Sequence, residues 1–411
     1  MPGSMNVVRA WNGLALFSYG FRPFFLGGAA FAAIAMVLWI GMLEGHLVLP
    51  TAFDPFAWHA HELLFGFLGA VIAGFLLTAV PNWTGRLPIT GYPLILLFLL
   101  WILGRVAVAV SGAWPALPSA LPAALVDLSM PVLLVAAIGR EVMIGRNWRN
   151  LPVLGLVLLF TLGNALFHFE AAQGEYAAQG YGFRLGLGTA IVLIALIGGR
   201  VVPSFTRNWL VKQGASNLPA APMQKYDVVA LLVLVAAILL WIAMPQGPAT
   251  GVVLLVAAGL HAVRLARWSG IQTASEPLVW ILHIGYGFLP LGALAMGATA
   301  IWPESVGARI GPAAAQHLWM AGTVGVMVLA VMSRATLGHT GRPLTATAGT
   351  TVLYICGIAA ALARALVDCL PVPPDLLYMV TAAGWIAAFG GFAILYGPAL
   401  CQAHPKKGQG A

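Results

Sequence analysis

Long apolar stretches separated by short polar connections recur along the whole chain. They fall at about 24–44, 58–80, 91–111, 121–143, 150–169 and 182–203, and again at about 227–245, 249–268, 277–302, 312–333, 346–368 and 376–400. Each has about the 18 to 25 residues that carry a helix across a bilayer core. The pattern predicts an all-α polytopic membrane protein of twelve transmembrane helices, with no soluble domain. The first run is too long for a removable signal, lacks a small-residue cleavage site, and reads as a retained span.

A repeat lies under this periodicity. His61 and His317 each stand twenty-five residues upstream of an arginine that closes the same tripeptide, Thr84-Gly85-Arg86 and Thr340-Gly341-Arg342. At the same offset Gly66 matches Gly322, Gly69 matches Gly325 and Ala79 matches Ala335. A weaker third copy ends at Arg207, where the position of the histidine is taken by Gly182. The expected organisation is one membrane domain over 1–411, built from three four-helix pseudo-repeats at about 20–145, 146–270 and 271–402. The tripeptides also have a plainer reading, as glycine and a basic residue punctuating a helix end.

Composition narrows the class further. Of 411 residues, 61% are hydrophobic and 8% charged, far from a soluble globular protein. If the N-terminus is cytoplasmic, that side collects all but four of the basic residues, from Arg9, Arg22 and Arg86 through Arg140, Arg146, Arg149, Arg200, Arg207, Lys212, Lys225, Arg264, Arg267, Arg334 and Arg342 to Lys406 and Lys407. The positive-inside rule then puts both termini in the cytoplasm and the protein in a bacterial inner membrane. The net charge of +8 is spread over short loops, which fits lipid headgroups as partners and gives no ground for nucleic acid. Cys356, Cys369 and Cys401 form no ligand spacing or disulfide framework.

Polar groups are expensive in hydrocarbon, so intramembrane histidines are candidate functional residues. His59, His61, His168 and His317 are expected near the outer face, and His261 and His283 near the inner ends of spans eight and nine. Two imidazoles on facing helices can complete the axial positions of a b-type haem, and His61 with His317 is the best pair for it. The plain alternative is an interhelical hydrogen bond. Imidazole also suits copper. Residues two apart on a helix point to nearly opposite sides, so unless the helix starts after His59, His59 and His61 are expected to serve separate sites. His59 with His168 is a candidate copper pair, with Glu62 in support, and His261 with His283 a candidate second metal site. His46, His339 and His404 fall in loops or the tail. Arg105 and Asp127 share a depth and are expected to pair, as are Arg364 and Asp368. Arg105, Arg184 and Arg364 could equally contact haem propionates.

The stretches GFRPFFLGG (20–28), WHAHELLFGFLGAVIAGFLLTAVPNWTGR (58–86), GGRVVPSFTRNW (198–209), PLVWILHIGYGFLPLG (277–292) and VMSRATLGHTGRP (331–343) resemble the NnrS family, membrane proteins associated with bacterial responses to nitric oxide. The resemblance implies twelve spans, haem and copper as cofactors, and tolerance of nitrosative stress, without assigning ligands. A fainter likeness links the chain to the catalytic subunit of haem-copper oxidases, whose haem histidines lie near the outer ends of spans two and ten. Spans six and seven here lack that subunit's copper-ligating histidines, which removes the ground for an oxidase-type binuclear centre.

These readings converge on a haem protein, with copper in addition, that protects against nitric oxide or a related small ligand. An alternative is a membrane redox enzyme acting on nitrogen oxides. The rival is a metal or small-molecule transporter, favoured by internal repeats.

Overall fold

A computed structural model describes residues 11–113, 120–307 and 309–403, and these contain helices and no strand. Arg9, His404, Lys406 and Lys407 lie outside the described residues. Twelve helices are long and apolar enough to cross a bilayer: α1 (Phe21–Leu43), α2 (Pro55–Thr84), α3 (Tyr92–Ala109), α4 (Leu121–Ile144), α5 (Trp148–Ala172), α6 (Ala177–Lys212), α7 (Lys225–Ala243), α8 (Pro248–Ala266), α9 (Pro277–Ile301), α10 (Pro312–His339), α11 (Ala348–Ala365) and α12 (Pro374–Cys401). Each matches one predicted apolar run. Helices α2 and α7 start ahead of their predicted runs where a polar residue, Asp54 or Gln224, caps the first turn. Asp54 Oδ1 accepts from Phe56 N at 2.9 Å and Ala57 N at 3.0 Å, so α2 begins three residues early, with Pro55 in its first turn. Gly85, with φ of +69°, then stops α2 as a left-handed cap, and Gly341 does the same after α10 with φ of +72°. The glycines of both tripeptides therefore act as helix stops.

The chain divides into two compact units. The first comprises Met1–Gly186, Ala335–Pro343 and Phe389–Ala411, and the second Leu187–Arg334 and Leu344–Ala388. Within the first, α1 packs on α2, α2 on α4, α3 on α4 and α4 on α5. Its most enclosed helix is α2, with 83% of its apolar window buried, against 28% to 44% for α1, α3, α4 and α5. Lipid tails tolerate only apolar side chains, so polar residues belong on this enclosed helix and on the faces turned towards it. In the second unit α7 packs on α8, α8 on α9, α9 on α10 and α10 on α11, and α9 and α10 are the enclosed helices.

Helices α2 and α10 are built alike. A short α-helical piece ends on the histidine (Pro55–His61, Pro312–His317), a π-helical piece follows (Glu62–Leu68, Leu318–Val326), and an α-helix finishes the span (Gly69–Thr84, Met327–His339). The sequence repeat therefore has a counterpart in backbone geometry at these two spans.

Three arginines counted towards the cytoplasmic loops are core residues. Arg22 is 2% exposed and donates to the carbonyls of Leu400 at 2.9 Å and Gln402 at 2.6 Å, closing the end of α12. Arg264 and Arg334 are likewise buried. A guanidinium one turn inside a helix end can reach a neighbouring helix's spare carbonyls or rings, whereas a loop residue remains in water.

Candidate metal centre

The first unit gathers a group of buried polar side chains around one end of α2. His61 and Glu62 straddle the change from α to π winding, a kind of irregularity frequent at functional sites. Trp101 of α3 donates its indole N–H to the Gly66 carbonyl in that π segment at 2.9 Å, which fixes α3 against it. From α3 comes Arg105, from α4 Asp127, and from α5 Asn164 and His168, one turn apart on the same face.

These side chains form one connected network. Arg105 bridges two carboxylates, donating to Glu62 Oε1 at 2.7 Å and to Asp127 Oδ1. Asp127 Oδ2 also accepts from Asn164 Nδ2 at 2.8 Å and His168 Nε2 at 3.0 Å. His61 places Nδ1 2.8 Å from Glu62 Oε1, and Nε2 2.9 Å from Asn164 Oδ1 and 3.3 Å from Asp127 Oδ2. Oxygen acceptors thus face both its ring nitrogens, an arrangement completed by a doubly protonated imidazolium or by a cation in place of one proton. The charge count agrees: two carboxylates surround one guanidinium, leaving one negative charge for another cation to balance. Donor atoms of His61, Asp127 and His168 lie within 4.8 Å of one another, and all three residues are buried. Two imidazoles and a carboxylate suit a first-row transition ion such as copper or zinc.

Glycines make the room. A methyl group on Gly66 would collide with Arg105 Nη1, and one on Gly104 would stand 2.9 Å from Asp127 Oδ1. Gly182 and Gly186, four apart on α6, press against Phe167 and Gly163 of α5, where a Cβ on Gly163 would reach within 2.8 Å of the Gly186 nitrogen. Small residues at this spacing let two membrane helices approach closely. Gly182, the weak third copy's counterpart of the histidine, serves packing.

The cluster changes how the candidate residues group. His168 meets His61 through Asp127, while His59 stacks on Trp39 with ring centroids 4.4 Å apart. Glu62 supports His61, its neighbour. Arg105 pairs with Asp127 as their common depth predicts, and its second contact is Glu62. Arg184 lies over the Tyr181 ring and bonds the Gly180 carbonyl at 3.2 Å. In the second unit, His317 places Nδ1 2.7 Å from the Ala313 carbonyl, and Arg364 lies over the Tyr378 ring. Asp368 accepts from the Gly311 backbone at 3.2 Å.

His261 and His283 have different partners. His261 Nδ1 accepts from the Tyr286 hydroxyl at 2.8 Å, and its Nε2 faces the Ala230 carbonyl at 3.1 Å. His283 Nε2 lies 2.8 Å from Thr206 Oγ1. Arg264 adds a buried ion pair with Asp227 at 2.8 Å and donates to the Tyr286 hydroxyl at 2.8 Å. Sequence reasoning missed Asn164, Asp227 and Tyr286 as network members. The available signal was spacing, since Asn164 precedes His168 by four residues and His261 precedes Arg264 by three.

Comparison with known families adds identity to this geometry. The profile described as NnrS protein matches residues 15–404. The chain belongs to the NnrS family. The match takes in all twelve spans and every member of the cluster around Asp127. For an NnrS protein, membership supports a membrane role in the response to nitric oxide and a capacity to bind metal. A search of curated proteins found no match.

Proposed function

We propose that this NnrS-family protein holds a transition metal, copper in the first instance, on His61, Asp127 and His168, and uses it to protect a bacterial inner membrane against nitric oxide. The reading rests on one observation: a buried His, Asp and His group whose donor atoms lie within 4.8 Å of one another, inside spans where an idle polar cluster would be costly. Bound there, copper supplies a redox-active centre for a small ligand. The protein's own residues hold it in place: Glu62 fixes the His61 ring through Nδ1, Asn164 and Arg105 orient the Asp127 carboxylate, and α5 carries His168. Both termini are proposed to be cytoplasmic.

A b-type haem with His61 and His317 as axial ligands is the second reading, favoured by the matching turn from α to π winding after each histidine. It requires His61 Nε2 to give up Asn164 and Asp127 for iron. The cavity adjoining this group admits about one or two water-sized molecules, far less than a porphyrin. Arg105 is already engaged by two carboxylates, so Arg184 and Arg364 are the remaining propionate candidates in that reading.

Elemental analysis and optical spectra of the purified protein separate the readings. Metal content is expected to fall to background in His61→Ala and His168→Ala and to persist in His59→Ala. Equal retention in all three would overturn the metal assignment. A Soret band lost in His317→Ala would establish the haem reading instead.

A further inference from the structure

Beside the cluster lies a small cavity walled by Phe65, Ile72, Trp101, Met130 and Phe160 on its apolar side and by Arg105 and Asp127 on its polar side. We propose that this cavity is a chamber for an uncharged diatomic molecule, which it delivers to the Asp127 side of the cluster. The proposal deepens the metal reading above and rests on it for the chamber's purpose.

Size sets the first limit, since there is space for about one or two water-sized molecules, which admits a diatomic and excludes an organic substrate. Charge sets the second. Arg105 is paired with Glu62 and Asp127, so the wall offers an anion no free counter-charge, and in the metal reading the group's surplus negative charge is taken by the metal. An ion left unpaired there would retain its full desolvation cost.

Water is the competing occupant, but a buried water needs two to four polar partners. The wall supplies few. Thr161 already donates to the Val157 carbonyl at 2.9 Å, and Asn164 gives one of its two amide N–H groups to Asp127. What stands out is the Nε–H of Arg105, buried and without a partner in a side chain only 8% exposed. One donor and a largely apolar surround suit a weakly accepting, uncharged molecule. Such molecules dissolve in lipid and can arrive through the bilayer.

Gly69 offers a clean test. A Cβ there meets nothing nearer than Phe160 at 3.8 Å, so Gly69→Ala fits without disturbing the cluster and Gly69→Val fills more of the cavity from α2. In crystals of the whole protein under krypton pressure, a krypton peak is expected in the wild-type cavity and none in Gly69→Val. In solution, infrared spectra under carbon monoxide are expected to show a narrow band whose half-saturation pressure rises at least tenfold in Gly69→Val, with metal content unchanged. Ordered water in place of krypton, or a carbon monoxide band unaffected by Gly69→Val, would overturn the proposal. If the protein binds no metal, the metal reading fails while krypton occupancy still decides whether the chamber exists.

Discussion

Removing Arg105 tests whether the cluster is held by charge or merely by packing. At 2.7 Å from Glu62, the guanidinium gains a gross attraction of about 6 kcal/mol at an effective dielectric constant near 20. Desolvation offsets much of that gain, but removing one partner of a buried pair leaves the other uncompensated and typically costs about 3–5 kcal/mol. Arg105 and Asp127 are 8% and 2% exposed, so solvent screening offers little relief. Arg105→Met should therefore destabilise the chelator-treated protein by about 3–5 kcal/mol. In an Asp127→Asn background the same change should cost less, giving a coupling above about 1.5 kcal/mol, well beyond the ~0.6 kcal/mol of an ordinary membrane hydrogen bond. The assay is reversible unfolding in mixed micelles with increasing dodecyl sulfate, run as a double-mutant cycle. A coupling at or below the ordinary hydrogen-bond value would refute the electrostatic account and leave packing as the explanation.

Two further substitutions probe the frame around the network. Gly66→Ala forces a methyl into Arg105 Nη1 and should cost about 1–3 kcal/mol in the same assay, with a matching loss of metal affinity; wild-type stability would show that α3 shifts freely. In the second unit, Tyr286→Phe removes the hydroxyl shared by His261 and Arg264 and should cost about 1–3 kcal/mol, and a neutral result would mean the two find other partners at once.

The positions of the twelve spans follow from composition alone. Charged groups are excluded from lipid, so apolar runs of bilayer length must be helices, and glycine after Thr84 or Thr340 must end one. Depth along the membrane is legible for the same reason. Counting residues from a helix end placed Arg105 level with Asp127, and the two do pair.

Direction around the helix axis is where the tertiary structure decides. His59 and His61 are two residues apart in one span, yet one stacks on Trp39 and the other joins Asp127. The π segment after His61 alters the register between that histidine and the rest of α2, and no apolar periodicity marks it in so uniformly hydrophobic a stretch. Which helix faces α2 was equally hidden, because lipid and protein interior are similarly apolar and select the same residues on both sides of a helix. Hydrophobicity thus determined where the twelve apolar helices lie and the common depth of pairs such as Arg105 and Asp127, but not the burial of Arg22, Arg264 and Arg334 at the helix ends. Close packing at Gly66, Gly104, Gly163, Gly182 and Gly186 decided which of the cluster's polar groups meet.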